Sequence, residues 1–291
     1  MIQITDLSFS FGKTRVLENL NLTVPDGCIM GLVGINGAGK STLFRLLTSI
    51  YTAESGSISY DGIPPQDEHL RKKVYFLPDD PYFSLHTTMK SMLEIYKCMY
   101  DVDMEKYNRL KNEFGLDEKK PLRSFSKGMR RQAYIIIALA IRPQYLFLDE
   151  AFDGLDPLAR HKVKQELAAM VDEDNATVII SSHALRELED FCDKYTVIDN
   201  KTISSSGDIA SRVEQYCKFM LGFADGVDKE IFSDLPTVSI SASGKFVSVV
   251  FEGDSAEIEQ KLLALSPTII EEMPINFEEV FINEVSKEAE K

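Results

Sequence analysis

No apolar run in this 291-residue chain approaches the twenty or so residues that a membrane-crossing helix needs. The longest, Ala133 to Ile141, is less than half that length. Nor does a signal segment open the chain, because Met1-Ile2-Gln3-Ile4 runs straight into an alternating strand. Cysteine is scarce: Cys28, Cys98, Cys192 and Cys217 form no Cys-x-x-Cys pair, which argues against a zinc site or a disulfide framework and predicts ordinary thiols in a reducing compartment. Positive charge is in deficit too. With 32 Lys+Arg against 46 Asp+Glu, the formal charge of −14 works against binding nucleic acid or anionic lipid through bulk electrostatics. The basic runs that do occur, Arg71-Lys72-Lys73 and Arg130-Arg131, are short and read as solvated faces.

What the chain does contain is a phosphate loop. Gly34-Ile35-Asn36-Gly37-Ala38-Gly39-Lys40-Ser41 fits G-x-x-x-x-G-K-[ST], in which glycines let backbone N–H groups curl around phosphate and the following helix offers its positive N-terminus. The context is right, with a buried strand expected at Ile29 to Val33 and an amphipathic helix from Thr42 to Ile50. Gly34, Asn36, Gly37, Ala38, Gly39, Lys40, Ser41 and Thr42 are therefore the expected nucleotide contacts. Lys40 would neutralise the β and γ phosphates of ATP, and the Ser41 hydroxyl would ligate Mg²⁺.

A second signal lies about a hundred residues on. Tyr145-Leu146-Phe147-Leu148 reads as a short buried strand that delivers Asp149-Glu150 to the edge of a parallel sheet, where ligands bind in open α/β folds. Asp149 is expected in the Mg²⁺ shell and Glu150 as the residue that polarises the attacking water. Read alone, the pair is also what a strand followed by an acidic helix cap looks like.

With these motifs in order, the chain resembles the ATP-binding subunit of an ABC transporter over roughly residues 1 to 210. Ser124-Phe125-Ser126-Lys127-Gly128-Met129-Arg130-Arg131 is similar to that family's signature, Gly154-Leu155-Asp156-Pro157 to its D-loop and Ser181-Ser182-His183 to its switch histidine. Phe11-Gly12 falls where an aromatic stacks on adenine, the reading favoured over one in which Phe9 and Phe11 alternate into a core. Ser126 suits the N-cap of an apolar helix, so its hydroxyl and the N–H groups near Gly128 make an anion site. The resemblance implies that the phosphate bound there belongs to a second copy of the subunit. His183 ends the strand Thr177 to Ile180 and could donate to the γ-phosphate or serve a purely structural role.

Two departures from the family pattern stand out. Lys127 and Met129 replace the signature's usual second glycine and final glutamine, a variation that resembles drug, antibiotic and peptide exporter ATPases. Pro274 to Phe281 is loosely similar to the end of the same subunits. Asp79, after Pro78, occupies the place where many members have a glutamine that touches Mg²⁺; it reads either as a metal ligand or as the cap of a turn.

The order of elements predicts an α/β fold, a P-loop NTPase core with a mainly parallel sheet, an inserted helical subdomain at about 84–141, and a small C-terminal α+β appendage at 211–291. Leu85, Met89, Met92, Leu93, Ile95 and Tyr96 supply the helical spacing, and the methionines read as core filler. The appendage holds 7 Lys+Arg against 16 Asp+Glu, and strands are expected near 216–223, 237–241 and 245–251, with helices near 256–265 and 277–285. The resemblance implies an ATP-hydrolysing, ATP-dimerised motor that works on a separate multi-span membrane subunit at the cytoplasmic face of the cell membrane, with export favoured and no nucleic acid involved. A soluble ATPase of the same superfamily, for example in iron–sulfur cluster assembly, is the alternative. A nucleotide-sensing scaffold without turnover is disfavoured by the presence of both Glu150 and His183.

Overall fold

Apolar alternation builds the first sheet. Strand β1 (Ile2–Phe11) buries Ile2, Ile4 and Leu7, and turns at Gly12-Lys13 into β2 (Thr14–Val24). A bulge at Asp6, φ 49°, shifts the register between Ile4 and Leu7, so the strict two-residue period breaks before Phe9. The fully buried β3 (Ile29–Val33) and helix α1 (Lys40–Leu47) follow. Strand β4 (Ser55–Tyr60) then returns antiparallel to β1 and completes a three-stranded sheet ordered β2-β1-β4. The structure, a computed structural model, describes residues 1–183, 185–223 and 229–281.

Beyond β4 the chain makes a short helix, α2 (Glu68–Arg71), capped by Asp67, and strand β5 (Val74–Leu77). It then turns helical. Helix α3 (Met89–Lys97) begins at a capping box of Thr88 and Ser91, α4 (Met104–Glu113) at Asp103, and α5 (Lys127–Ile141) at Ser126. Met89, Met92 and Leu93 are buried as expected of core filler. Leu85 and Ile95 are not: they are 65% and 62% exposed. Leu85 precedes the Thr88 cap and so lies outside the helix, and Ile95 falls on its outer face.

The remaining strands of the main sheet alternate with helices: β6 (Tyr145–Leu148), α6 (Pro157–Asp174), β7 (Thr177–Ser182), α7 (Leu185–Glu189), β8 (Lys194–Asp199) and β9 (Thr202–Asp208). Their order is β5-β6-β7-β3-β8-β9, with parallel pairing from β5 through β8. The near-continuous apolar runs of β3, β6 and β7 are what a sheet covered on both faces demands. Strand β9 was not expected from the sequence, since Ile203 is its one large apolar residue. It forms through a tight turn at Asn200 and Lys201, both at positive φ (45° and 71°), which matches the twist of a two-residue hairpin.

The chain divides into two compact units, Met1–Ser206 and Gly207–Lys291. Within the second, α8 (Ile209–Val213), β10 (Tyr216–Gly222), β11 (Thr237–Ser243), β12 (Phe246–Glu252), α9 (Ser255–Ala264) and β13 (Ile269–Met273) follow in turn. The sheet is antiparallel, ordered β11-β12-β10-β13. This is the split β-α-β order of ferredoxin-like domains, with a 3₁₀ turn at Lys229–Phe232 in place of the first helix. Phe219, Leu221, Val249, Phe251, Ile258 and Leu262 form its core. Strand β13 was not anticipated. Residues 277–281 are helical, and the rest of the helix expected over 277–285 lies outside the described residues.

Candidate nucleotide site

Parallel strands deliver their C-terminal ends to one edge, and the sheet order decides which loops meet there. The Gly34–Ser41 loop leaves β3, Pro78-Asp79 leaves β5, Asp149-Glu150 leaves β6 and Ser182-His183 ends β7. Because β6, β7 and β3 are adjacent, residues separated by more than a hundred positions come within hydrogen-bonding reach. Gly39 shows why the loop needs glycine: its φ is 109°, and a Cβ there would stand 2.6 Å from Leu17 Cδ2.

The charged groups form one chain of contacts. The buried Lys40 ammonium donates to the Gly34 carbonyl oxygen and stands 3.4 Å from Glu150 Oε1. Glu150 Oε2 is 3.0 Å from His183 Nδ1. Ser181 Oγ donates to Asp149 Oδ1 at 2.7 Å and accepts from the Glu150 backbone N–H at 2.9 Å, so one buried hydroxyl fixes the side chain of the first carboxylate and the backbone of the second. Glu150 sits at φ 48°, a left-handed conformation that costs energy in a non-glycine residue. Ser181 is a residue whose role the sequence reading missed; every residue of β7 is buried, so alternation cannot say which side chain faces the site. Ser181→Ala should cost about 1.5–3 kcal/mol of stability, the range for a lost hydrogen bond to a charged group, read by denaturant unfolding.

These groups line a cleft of about 360 Å³. Phe11, Asn36, Gly37, Ala38, Gly39, Lys40, Ser41, Thr42, Asp79, Asp149 and Glu150 border it, as do Val16 and Ile35, which the sequence reading did not single out. Gly34 supplies the carbonyl beneath the loop, and His183 joins through Glu150. Phe11 is 49% exposed and packs edge-on against Phe9 and Tyr51, with centroids at 5.0 and 5.5 Å. The core alternative for Phe11 therefore fails, and an exposed ring at a cleft mouth suits stacking on a planar base. Among the described residues no cluster of three His, Cys, Asp or Glu could cage a metal. One buried carboxylate, Asp149, and one hydroxyl, Ser41, fit Mg²⁺, which keeps most of its waters and takes its other oxygens from phosphates.

Ser126 and Gly128 do not border this cleft. Ser126 caps α5 and accepts from the Met129 N–H at 3.1 Å, and the first turn's other N–H groups have no partner within the helix. A Cβ on Gly128 would lie 2.5 Å from the Gly154 carbonyl oxygen, so the signature-like turn is packed on the D-loop-like segment of its own chain. Lys127 Nζ meets Asp153 Oδ2 at 2.5 Å beside this contact, and that hydrogen bond holds the Asp153 carboxyl below the usual carboxylate range. The solvated reading of Arg130-Arg131 fails at Arg131, which is 3% exposed and donates to Asp79 Oδ1 at 2.6 Å and to the Pro78 carbonyl at 3.1 Å. All four cysteines are free thiols; burial pushes Cys28 and Cys217 up to about 11, so these two are unreactive at neutral pH.

Residues 17–153 match the family described as ABC transporter. Over 286 residues, 97% of each chain, the sequence is 30% identical to the ABC transporter ATP-binding protein YtrB of Bacillus subtilis. The chain belongs to the ABC transporter ATP-binding proteins. It is 34% identical over 195 residues to the lantibiotic transport ATP-binding protein SrtF of Streptococcus pyogenes, covering 66% of this chain and 84% of that one. Among solved structures, an ATP-binding subunit of an ABC transporter superposes with a TM-score of 0.67 at 28% identity, over 74% of this chain and 92% of that one. A dimeric cassette bound to ADP and phosphate, 19% identical with a TM-score of 0.63, shares the fold. The P-loop α/β architecture expected from the sequence is thus shown, and as a member of this family the chain is an ATP-binding subunit and an ATPase. No helix among the described residues is long and apolar enough to cross a membrane.

Proposed function

We propose that this ABC transporter subunit is one half of an ATP-driven dimer that works on a separate multi-span membrane subunit at the cytoplasmic face of the membrane, and that it powers export of an amphipathic peptide, antibiotic or drug. The observation that carries the dimer is the position of Ser126 and Gly128. They offer a capped helix N-terminus but border no part of their own chain's cleft, so a nucleotide held by Lys40 and Ser41 meets such donors only from a second copy.

In this reading residues 1–210 are the ATPase domain, 84–141 its helical subdomain and 211–291 an accessory domain. The loop N–H groups and Lys40 bind the phosphates of ATP, and Phe11 covers the base. Ser41, Asp149 and Asp79 would hold Mg²⁺, which would neutralise charge on the phosphate oxygens. Glu150 is the general base: Lys40 on one oxygen and His183 on the other fix its carboxylate so that it accepts a proton from water. An incoming phosphate competes with Glu150 for Lys40, which frees that carboxylate oxygen as the substrate arrives. ATP favours the closed dimer and its hydrolysis products the open one, and this difference in affinity drives the cycle.

Export of a peptide is supported by the similarity to SrtF, a lantibiotic transport subunit, and by the Lys127 and Met129 variant of the signature. Cells from which this chain is deleted should become several-fold more susceptible to lantibiotic-type peptides, measured as growth inhibition. Unchanged susceptibility across a panel of amphipathic peptides and drugs would remove the export reading while leaving the ATPase standing.

A further inference from the structure

Asp79 places a carboxylate on the wall of a cleft built to receive polyphosphate, where a negative charge should repel the ligand. The chain carries its own remedy. Arg131 reaches from the second turn of α5 to bind Asp79 Oδ1 at 2.6 Å with Nη2, while Nη1 takes the Pro78 carbonyl at 3.1 Å. The guanidinium is almost wholly buried and does not border this cleft, whereas Asp79 is 52% exposed and does. Two donors on one planar group fix both the carboxylate and the backbone that carries it.

We propose that Arg131 is a positioning residue for nucleotide binding: it cancels the charge of Asp79 and holds that carboxylate edge-on to the cleft, so that the pair presents a nearly neutral oxygen acceptor to the bound nucleotide and its metal. The proposal rests on the reading of this cleft as the ATP site. It also explains why an arginine in a helix rich in buried apolar residues is not replaced by one of them, since burying a cation is costly unless a partner is held beside it. Arg131 further ties the Asp79 loop to the helix whose cap is Ser126, five residues earlier in the chain.

The roles separate in a double-mutant cycle read by nucleotide binding. Arg131→Met keeps the length and apolar packing of the side chain but leaves Asp79 charged. We expect it to weaken ATP binding about tenfold, equivalent to about 1.4 kcal/mol, measured at equilibrium with a fluorescent ATP analogue, with and without Mg²⁺. Asp79→Gln alone alters a residue of the site itself, and its own affinity serves as the reference for the double variant. In the Asp79→Gln background, adding Arg131→Met should change affinity by no more than about two- to threefold, because no uncompensated carboxylate remains for Arg131 to cancel. Near-parental binding by Arg131→Met alone, or an equally large loss when Arg131→Met is added to Asp79→Gln, would overturn the proposal. Thermal melts of each variant show whether the fold is intact, and an unfolded Arg131→Met is replaced in the cycle by Arg131→Gln, which removes the charge but keeps a donor and should also weaken binding about tenfold. Lys40→Ala serves as the separate control. If the parent itself fails to bind ATP, or Lys40→Ala binds as the parent does, it is the ATP-site reading that falls, whatever the Arg131 variants do.

Discussion

Glu150→Gln should lower ATP turnover by roughly 10²- to 10⁴-fold, the range for loss of a positioned general base, while ATP binding stays intact. The amide keeps the size of the carboxylate and can still accept from His183 Nδ1, but it cannot take a proton from water. It also removes the negative partner that stands 3.4 Å from Lys40 Nζ. Binding should therefore be equal or tighter, and the ATP-bound dimer should accumulate. Sedimentation in the presence of ATP measures the second effect and phosphate release the first. Hydrolysis within tenfold of the parent would sink the assignment of Glu150 as base.

Mixed dimers give the second large effect. A copy carrying Lys40→Ala loses the phosphate loop's cation, and a copy carrying Ser126→Arg blocks the exposed cap of α5 with a bulky side chain. Each variant assembled with itself should have almost no turnover, because every shared site carries one lesion. In a two-fold dimer of one with the other, both lesions fall on the same site and the second site is whole. Random mixing should then restore about a quarter of parental turnover, half of the sites in half of the dimers. If dimers form and activity does not return, the two residues do not share a nucleotide.

How much of this was legible in the sequence depends on whether the physics is local. The phosphate loop was legible because backbone N–H groups can wrap an anion only with glycines at set spacing, and the all-buried strands before it and before Asp149 are visible as unbroken apolar runs. The neighbours were not. Ser181 and Asp149 are 32 residues apart, and their 2.7 Å hydrogen bond exists only because β6 lies beside β7. Arg131 was misread as solvated because its charge was read without its direction. Successive helical residues point about 100° apart, so Arg130 and Arg131 cannot both face water in the same way. Strand β9 escaped notice because Ile203 is its one large apolar residue, and β13 because Ile269-Ile270-Glu271-Glu272-Met273 does not alternate; both pair with a neighbouring strand. The ferredoxin-like order of the second unit is likewise a fact about which strands pair, and no local pattern states it.

The sheet order carries one more consequence, for a chain that emerges from the ribosome N-terminus first. Strand β3 is made early, yet its two neighbours in the sheet are β7 and β8, which end at Ser182 and Asp199. Until those residues have been synthesised, the phosphate loop hangs from a strand with no partner on either side, and Lys40 lacks the Asp149-Glu150 edge that completes its surroundings. A nascent chain that ends before β7, or one truncated there by a stalled ribosome, has the whole glycine motif but neither hydrogen-bonded neighbour of the strand that carries it. The motif with the clearest sequence signal thus waits for strands made more than a hundred residues after it before its surroundings are complete.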